Sequence, residues 1–315
     1  MTPRRRLPGD LAAILVVACA CIAVIAPGSH SYWRPAEFLH DFLHVPGFGL
    51  ITLILWLGFS SGEGSSSRSR VPNLLALFSA SITIGVGVEV LQASFGGDAN
   101  AWDVGSDTVG TVCALLVLES THRQLSAAWR WGLRLAAVAG LLLALVPSMQ
   151  AIAEDRRAKR EFPVLADFCT RSELHRFTWS TGSLGTFEPP RGSSAHGSLR
   201  LDLEPSMYPG LSLAYFPRDW KGWRELSIVC ENRSPTPLRV TVRIDDLQHN
   251  NDYNDRFNRS VLLVPGWNDV RISLTDVESA PAGRRLDLGH IRSVILFAVD
   301  LREPRSLVLR EFRLM

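Results

Sequence analysis

Apolar residues fill the first half of the chain in blocks long enough to cross a bilayer, whereas the second half alternates in short blocks. Residues 11–26, 43–59, 72–95, 103–118 and 135–153 form five apolar runs. A spanning helix needs about 20 residues, so these runs read as five transmembrane helices, the first and fourth completed by their flanks. Pro46 falls near the start of the second run, where a missing N–H is tolerated. Polar connectors separate the runs: an aromatic interfacial stretch at 30–44, a Gly/Ser-rich loop at 60–70, a turn at 96–102, and an arginine-bearing segment at 119–134.

From residue 162 onward the period changes to two. Leu238, Val240, Val242 and Ile244 alternate with Arg239, Thr241 and Arg243, the signature of a strand with one wet face. Residues 261–264, the Pro265-Gly266 pair and residues 270–274 read as a hairpin. Residues 293–299 and 307–314 are further strands. Nine or ten such segments with no clear helix imply a jelly roll or β-sandwich, with Trp220 and Trp223 in its core. The expected fold is therefore an α-helical membrane bundle of about five transmembrane helices, residues 1–160, followed by an all-β jelly-roll/β-sandwich domain, residues 161–315.

Charge adds orientation. A formal net charge of +2 offers no concentrated cationic face, which excludes nucleic acid as a partner. With the N-terminus in the cytoplasm, the inner segments hold Arg4, Arg5, Arg6, Arg68, Arg70, Arg123, Arg130 and Arg134, and the outer ones only Arg34. Positive residues stay inside. Arg156, Arg157, Lys159 and Arg160 run the other way, but they lead into a whole domain, and long translocated domains obey the rule poorly. The expected location is the bacterial cytoplasmic (inner) membrane, multi-pass, with a cytoplasmic N-terminus and an extracytoplasmic (periplasmic) β domain. Val16-Val17-Ala18-Cys19 resembles a lipoprotein cleavage box, yet the apolar run continues past Cys19, so a retained span is expected. Cys19, Cys21 and Cys113 lie in apolar runs as small hydrophobes. Cys169 and Cys230 are either free thiols or one disulfide; spacing leaves both open.

Candidate chemistry in the first half is confined to three short motifs. Asp41 and His44 lie at the outer end of the second run, and Glu89 and Gln92 at the end of the third. Asp103, Asp107, Gly110 and Ala114 share one helical face in the fourth. Ionisable groups inside spans are costly and mark polar sites facing a bundle interior. Gly85, Gly87, Gly105, Ser106 and Gly110 would permit close helix approach. With the orientation above, all three motifs reach the outer membrane face. They act as interhelical hydrogen bonds, as carboxylates sharing a proton for acid–base work or proton transfer, or as an ion-binding path. His40-Asp41-x-x-His44 also has the spacing of a shared metal ligand pair. Pro46 follows closely, an interfacial histidine is the simpler reading, and no metal site is assigned.

On these residues the first half, about 9–153, resembles the VanZ-like family. Asp41 and His44 match its Asp-x-x-His, Glu89 and Gln92 its Glu-x-x-Gln, and Asp103 and Gly110 its Asp-x-x-x-Asn-x-x-Gly. Gly97 stands where that family usually carries arginine, and Asp107 where it carries asparagine, so the site here is more acidic. The resemblance implies an envelope role and an effect on glycopeptide antibiotic sensitivity, without a defined reaction.

In the second half, sugar recognition needs an aromatic face and planar polar groups. The loop 245–258 places Asp245, His249, Asn250, Tyr253 and Arg256 together, and Trp179, Tyr208, Trp220 and Trp223 are candidate stacking rings. Leu165-Ala166-Asp167-Phe168, Leu199-Arg200-Leu201, Pro217-Arg218-Asp219-Trp220, Val242-Arg243-Ile244-Asp245-Asp246, Asp255-Arg256-Phe257 and Leu309-Arg310-Glu311-Phe312 are similar to galactose-binding-like carbohydrate-binding sandwiches, over about 162–315. No cofactor is expected, a calcium ion on loop carboxylates being the one candidate.

The function expected is a non-catalytic envelope protein binding, or assisting the processing or export of, cell-envelope polysaccharide. Its partners would be the lipid bilayer, a carbohydrate or lipid-linked glycan, and polysaccharide-assembly proteins. The rival is a membrane-embedded hydrolase or transferase acting on lipid-linked glycan through Glu89, Asp103, Asp41 and His44.

Overall fold

The computed structural model describes residues 33–60, 70–94, 101–190 and 196–315. The expected first span at 11–26, with Arg4, Arg5, Arg6, Cys19 and Cys21, lies outside them, as do Arg68 and Gly97. The chain divides into two compact units between Ala151 and Ile152.

The first unit is helical. Helix α1 runs Arg34–Ser60, α2 Arg70–Ser94, α3 Ala101–Ser120 and α4 Ala127–Glu161. Arg34–Gly58, Val71–Ser94 and Ala127–Glu161 are long and apolar enough to cross a membrane. Helix α1 starts well before the expected 43, so the stretch expected as an interfacial connector is helical from Arg34. It passes through Pro46, which costs the bond to the Phe42 carbonyl. The cause is packing: Val45, Phe48 and Ile51 are buried on one face, and that stripe holds the helix together across the proline.

Small residues set how closely the helices approach. A Cβ on Gly110 would lie 2.1 Å from the Val45 carbonyl oxygen, and one on Gly85 would lie 2.6 Å from Asp107 Oδ2. Gly87 and Gly105 face open space, so only part of the expected glycine set mediates contact. Helix α4 is tied in by Ser148 Oγ donating to the Phe38 carbonyl at 2.8 Å and Cys113 Sγ to the Ala137 carbonyl at 3.4 Å.

The second unit is a sandwich of two antiparallel sheets. Strands β1–β11 are Val164–Ala166, Phe177–Trp179, Ser183–Glu188, Ser198–Leu203, Gly210–Leu213, Glu225–Asn232, Leu238–Asp246, Phe257–Leu263, Gly266–Ser273, Ile291–Phe297 and Arg305–Leu314. One sheet has the order β3-β4-β11-β6-β9, with β1 beside β11; the other is β2-β5-β10-β7-β8. Alternation decides which face is inward: Leu199, Leu201 and Leu203 of β4 are buried against Leu211, Val242 and Leu296 from the opposite sheet. In β11 the buried positions shift from Leu307 and Leu309 to Phe312 and Leu314. A register break between Leu309 and Glu311 inserts Arg310 as an extra residue, and such a bulge changes parity while keeping the core side inward.

The expected hairpin at 261–274 is not formed. Strand β8 pairs with β7 and β9 with β6, so the Pro265-Gly266 corner carries the chain from one sheet to the other. Gly266 has φ +88°, which glycine adopts without penalty. Asn268 binds the Val264 amide and the Val264 and Gly266 carbonyls at 2.8–3.0 Å. These bonds replace the ladder that a hairpin would have made.

A short helix, α5 (Leu274–Ser279), and a 3-10 turn at Arg171–Arg176 complete the unit. Arg176, 1% exposed, donates to Glu154 Oε1, Glu161 Oε2 and the Leu165 carbonyl at 2.7–2.9 Å. The last turns of α4 therefore belong with the sandwich. Trp220 is fully buried and Trp223 packs on the core edge, as expected. Cys230 is buried in the core and Cys169 lies near the surface; both are free thiols.

Candidate functional sites

In the bundle, α1, α2 and α3 each contribute one side to a polar cluster. His44 Nδ1 lies 2.9 Å from Asp107 Oδ1, and both side chains are 1% exposed. The pair spans α1 and α3, where the Gly110–Val45 approach brings the backbones close enough for short side chains to meet. Asp103 and Glu89 are buried beside it. Asp103 interacts electrostatically with His44, Glu89 and His40, and Asp41 with Asp103, His40 and His44. Gln92 is half-buried on the last turns of α2. The rings of His40 and His44 meet edge to face at 5.6 Å. Two turns along α1 a second polar layer follows, in which Thr52 Oγ1 meets Ser81 Oγ at 3.0 Å and Thr111 Oγ1 at 3.4 Å. That layer escaped the sequence reading because hydroxyls inside apolar runs carry no charge signal.

In the sandwich, the outer face of the five-stranded sheet collects the polar alternates. Register places Ser293 opposite Asp245, Ile295 opposite Arg243 and Phe297 opposite Thr241. Across β7, Arg243 faces Asn258 and Thr241 faces Ser260. Arg243 Nε donates to Asp245 Oδ2 at 3.1 Å, and Ser293 Oγ donates to Asp245 Oδ1. At one side Tyr208, 55% exposed, meets Phe297 edge to face at 5.9 Å. Gly210 pairs with Phe297 across the strands, and a Cβ there would lie 2.6 Å from Phe297 Cα and Cβ. At the other side the Arg256 guanidinium lies 5.1 Å from the ring centre of exposed Tyr253.

Of the predicted residues, Asp245, Tyr208, Tyr253 and Arg256 thus frame this face. His249 and Asn250 instead build the loop: His249 is buried with Nδ1 2.9 Å from the Asp255 carbonyl, and the Asn250 amide donates to Asp255 Oδ2 at 3.0 Å. Trp179 stacks on Phe177 and covers Gly185 at the sandwich edge. Phe297 and Ser293 were missed, although the alternation in β10, Ser293-Val294-Ile295-Leu296-Phe297, would have identified the outward positions; Arg243 was placed on the wet face of β7 but not assigned to the site.

Arg284, also missed, anchors the loop. It donates to both Asp246 oxygens at 2.6 and 2.8 Å and, through Nε, to Asp255. Burial alone would raise the Asp246 carboxyl, but bonds from Arg284 and the Asp287 amide bring it below the usual range. The Arg284 hydrogen bond, against a desolvation cost and helped by the Asn250 amide, holds Asp255 down to about 2. A calcium ion on this loop would have to compete with that guanidinium for both carboxylates.

No protein-family model and no curated protein matches the chain. Among solved structures it is similar to the family 11 carbohydrate-binding module from Clostridium thermocellum in complex with a β-1,3-1,4-mixed-linked tetrasaccharide, at 15% identity and TM-score 0.36, over 48% of this chain and 94% of that one. It is similar to the agarase AgWH50C at 16% identity and TM-score 0.39, over 48% of this chain and 26% of that one. An exo-β-agarase matches at 14% identity and TM-score 0.36, over 44% of this chain and 23% of that one. The chain spans about a quarter of the length of these agarase chains.

Proposed function

We propose that this is an integral membrane protein of the bacterial cell envelope whose extracytoplasmic sandwich binds carbohydrate on the outer face of its five-stranded sheet. The observation that carries the reading is the composition of that face. Exposed Tyr208 and half-buried Phe297 meet at one side of planar and hydroxyl groups from Thr241, Arg243 and Ser293, with buried Asp245 accepting from Arg243 and Ser293. Ring faces take the C–H side of a pyranose and the polar groups its hydroxyls. The motifs at Asp41 and His44, Glu89 and Gln92, and Asp103 and Gly110 support a VanZ-like bundle, and with it a role in polysaccharide processing or export and in glycopeptide sensitivity.

Glycan-array binding of the full chain in nanodiscs tests the reading. Tyr208→Ala and Phe297→Ala should each lower affinity for a bound glycan about 2- to 12-fold, the effect of losing about 0.5–1.5 kcal/mol of ring contact. Trp267→Ala, on the opposite sheet, should leave it unchanged. Absence of binding across a broad array, or loss only in Trp267→Ala, overturns the assignment to this face.

The buried His44–Asp107 pair with Asp103 and Glu89 beside it favours a second reading, acid–base chemistry on a lipid-linked glycan. It requires that Asp103→Asn or Glu89→Gln abolish an envelope phenotype at normal expression. If both behave as wild type, catalysis at this cluster is ruled out.

A further inference from the structure

The outer face of the other sheet carries a second constellation. A groove of about 590 Å³ there is lined by Asp167, His196, Trp267, Asp269, Arg310 and Glu311 among others. Beside them is Cys169. One potential ligand atom from each of Asp167, Cys169 and His196 lies within 4.8 Å of the other two. Cys169 Sγ is 3.0 Å and Asp167 Oδ2 is 3.3 Å from the same ring nitrogen, His196 Nδ1.

Two features build this arrangement from below. Buried Glu173 accepts from the amides of Asp167, Phe168 and Thr170 at 2.8–3.0 Å, fixing the loop that carries both Asp167 and Cys169. The Asp167 carboxylate itself accepts from the Cys169 amide at 3.2 Å. On the other side, the Gly197 amide donates to the Phe168 carbonyl at 3.1 Å. A Cβ on Gly197 would lie 2.8 Å from that same oxygen, so only glycine lets the chain bring His196 this near.

The geometry argues against a nucleophilic triad. In a Cys-His-Asp relay the carboxylate orients the imidazole from the ring nitrogen opposite the thiol, whereas here one nitrogen faces both. A carboxylate, a thiol and an imidazole are thus gathered with one ring nitrogen facing the other two groups, an arrangement that a cation would bridge.

We propose that Asp167, Cys169 and His196 form a binding site for one zinc-type divalent cation, with the remaining coordination position open to the groove. Tetrahedral zinc with metal–ligand distances of about 2.0–2.3 Å sets its donors about 3.3–3.6 Å apart. The observed carboxylate–imidazole spacing matches this, and the thiol needs to move outward by only about half an ångström. A thiolate, an imidazole and a carboxylate together select zinc-like ions over calcium or magnesium. On binding, the thiol proton leaves to solvent and the sulfur–metal bond forms in its place, with no change in oxidation state. The site is separate from the sugar-binding face and does not depend on that assignment.

Cobalt(II) reports the site directly. Purified full chain in nanodiscs, stripped with chelator and titrated with Co²⁺, should develop a thiolate-to-cobalt charge-transfer band that saturates at one ion per chain. Zn²⁺ should bleach it, and excess Mg²⁺ should not. Cys169→Ser should remove the band and His196→Ala should weaken binding, while Cys230→Ser, in the core, should retain it. His196 is 45% exposed, so His196→Ala tests the ligand without disturbing packing. Failure of the band to appear, its persistence in Cys169→Ser, or unchanged affinity in His196→Ala overturns the proposal.

Discussion

The two halves of this protein use buried carboxylates in opposite ways. In the helical unit Asp107 is 1% exposed and meets an imidazole, His44, through one hydrogen bond. In the sandwich Asp246 is fully buried and meets a guanidinium through two, with the Asp287 amide as a third donor. The first is a hydrogen bond between helices that glycine brings together; the second is an ion pair on which a loop is assembled. Backbone proximity, not charge, sets the geometry in the bundle, while charge sets it in the loop.

The largest effect should come from backbone proximity. Gly110→Val forces a branched side chain to within about 2 Å of the Val45 carbonyl, where even a Cβ lies at 2.1 Å. Overpacking against movable side chains ordinarily costs about 1–3 kcal/mol; here the obstacle is the α1 backbone itself, so the whole α1–α3 contact is lost, the two helices should separate and the bundle lose its monodisperse elution in detergent. Gly105→Ala, with no atom within 4 Å, should leave elution unchanged or slightly improve thermal stability, by up to about 1 kcal/mol of helix propensity. Equal effects from both would mean that the close approach does not hold the bundle together.

Next comes the loop's anchor. Arg284→Ala strands two buried carboxylates, Asp246 and Asp255, and removing one partner of a buried pair costs about 3–5 kcal/mol. Urea melts read by near-UV circular dichroism should show that loss in the sandwich transition alone. The pH dependence has a defined sign. Asp255 and Asp246 are depressed in the folded state, Asp255 to about 2, against about 3.9 unfolded. Their stabilisation is therefore complete above about pH 4 and is lost as the pH falls towards 2. In Arg284→Ala that acid-side decline should flatten, because the depressing partner has gone. An acid limb identical to wild type would show that Arg284 does not hold these carboxylates.

How legible each half is in the sequence follows from the same contrast. The bundle's motifs stand out because charge inside apolar runs is conspicuous, and Asp103, Asp107, Gly110 and Ala114 do share one buried face. The helix limits were less legible, since Pro46 suggests a boundary where tertiary packing carries α1 through. In the sandwich, alternation correctly gave β7 and the core strands. Pairing was illegible: Pro265-Gly266 reads as a hairpin turn, and nothing local tells that Asn268 will cap a corner between sheets. Arg284 lies 38 residues from Asp246, and no short-range pattern joins them. The same is true of Cys169 and His196, 27 residues apart, whose meeting depends on Glu173 and Gly197 rather than on any ligand spacing. Asp245 was legible as polar and alternation alone puts Arg243, two residues earlier, on the same face, but Ser293 emerges only from register.

The smallest effect separates the two carboxylates most cleanly. Asp107→Asn keeps an amide oxygen where His44 needs an acceptor, removing charge but not the bond. Interhelical hydrogen bonds in membrane bundles average about 0.6 kcal/mol, so even a weakened one bounds the loss at roughly 1 kcal/mol or less. Asp246→Asn cannot be so mild. An amide offers Arg284 one acceptor and turns its NH₂ towards a guanidinium that is itself a donor, breaking a two-point contact at a fully buried position. Thermal melts of the two variants, each compared with wild type in the same detergent, should therefore show a small shift for Asp107→Asn and a several-fold larger one for Asp246→Asn. If Asp107→Asn proves as damaging as Asp246→Asn, the His44–Asp107 pair is ionic, and the cluster holds a charge separation that packing alone would not require.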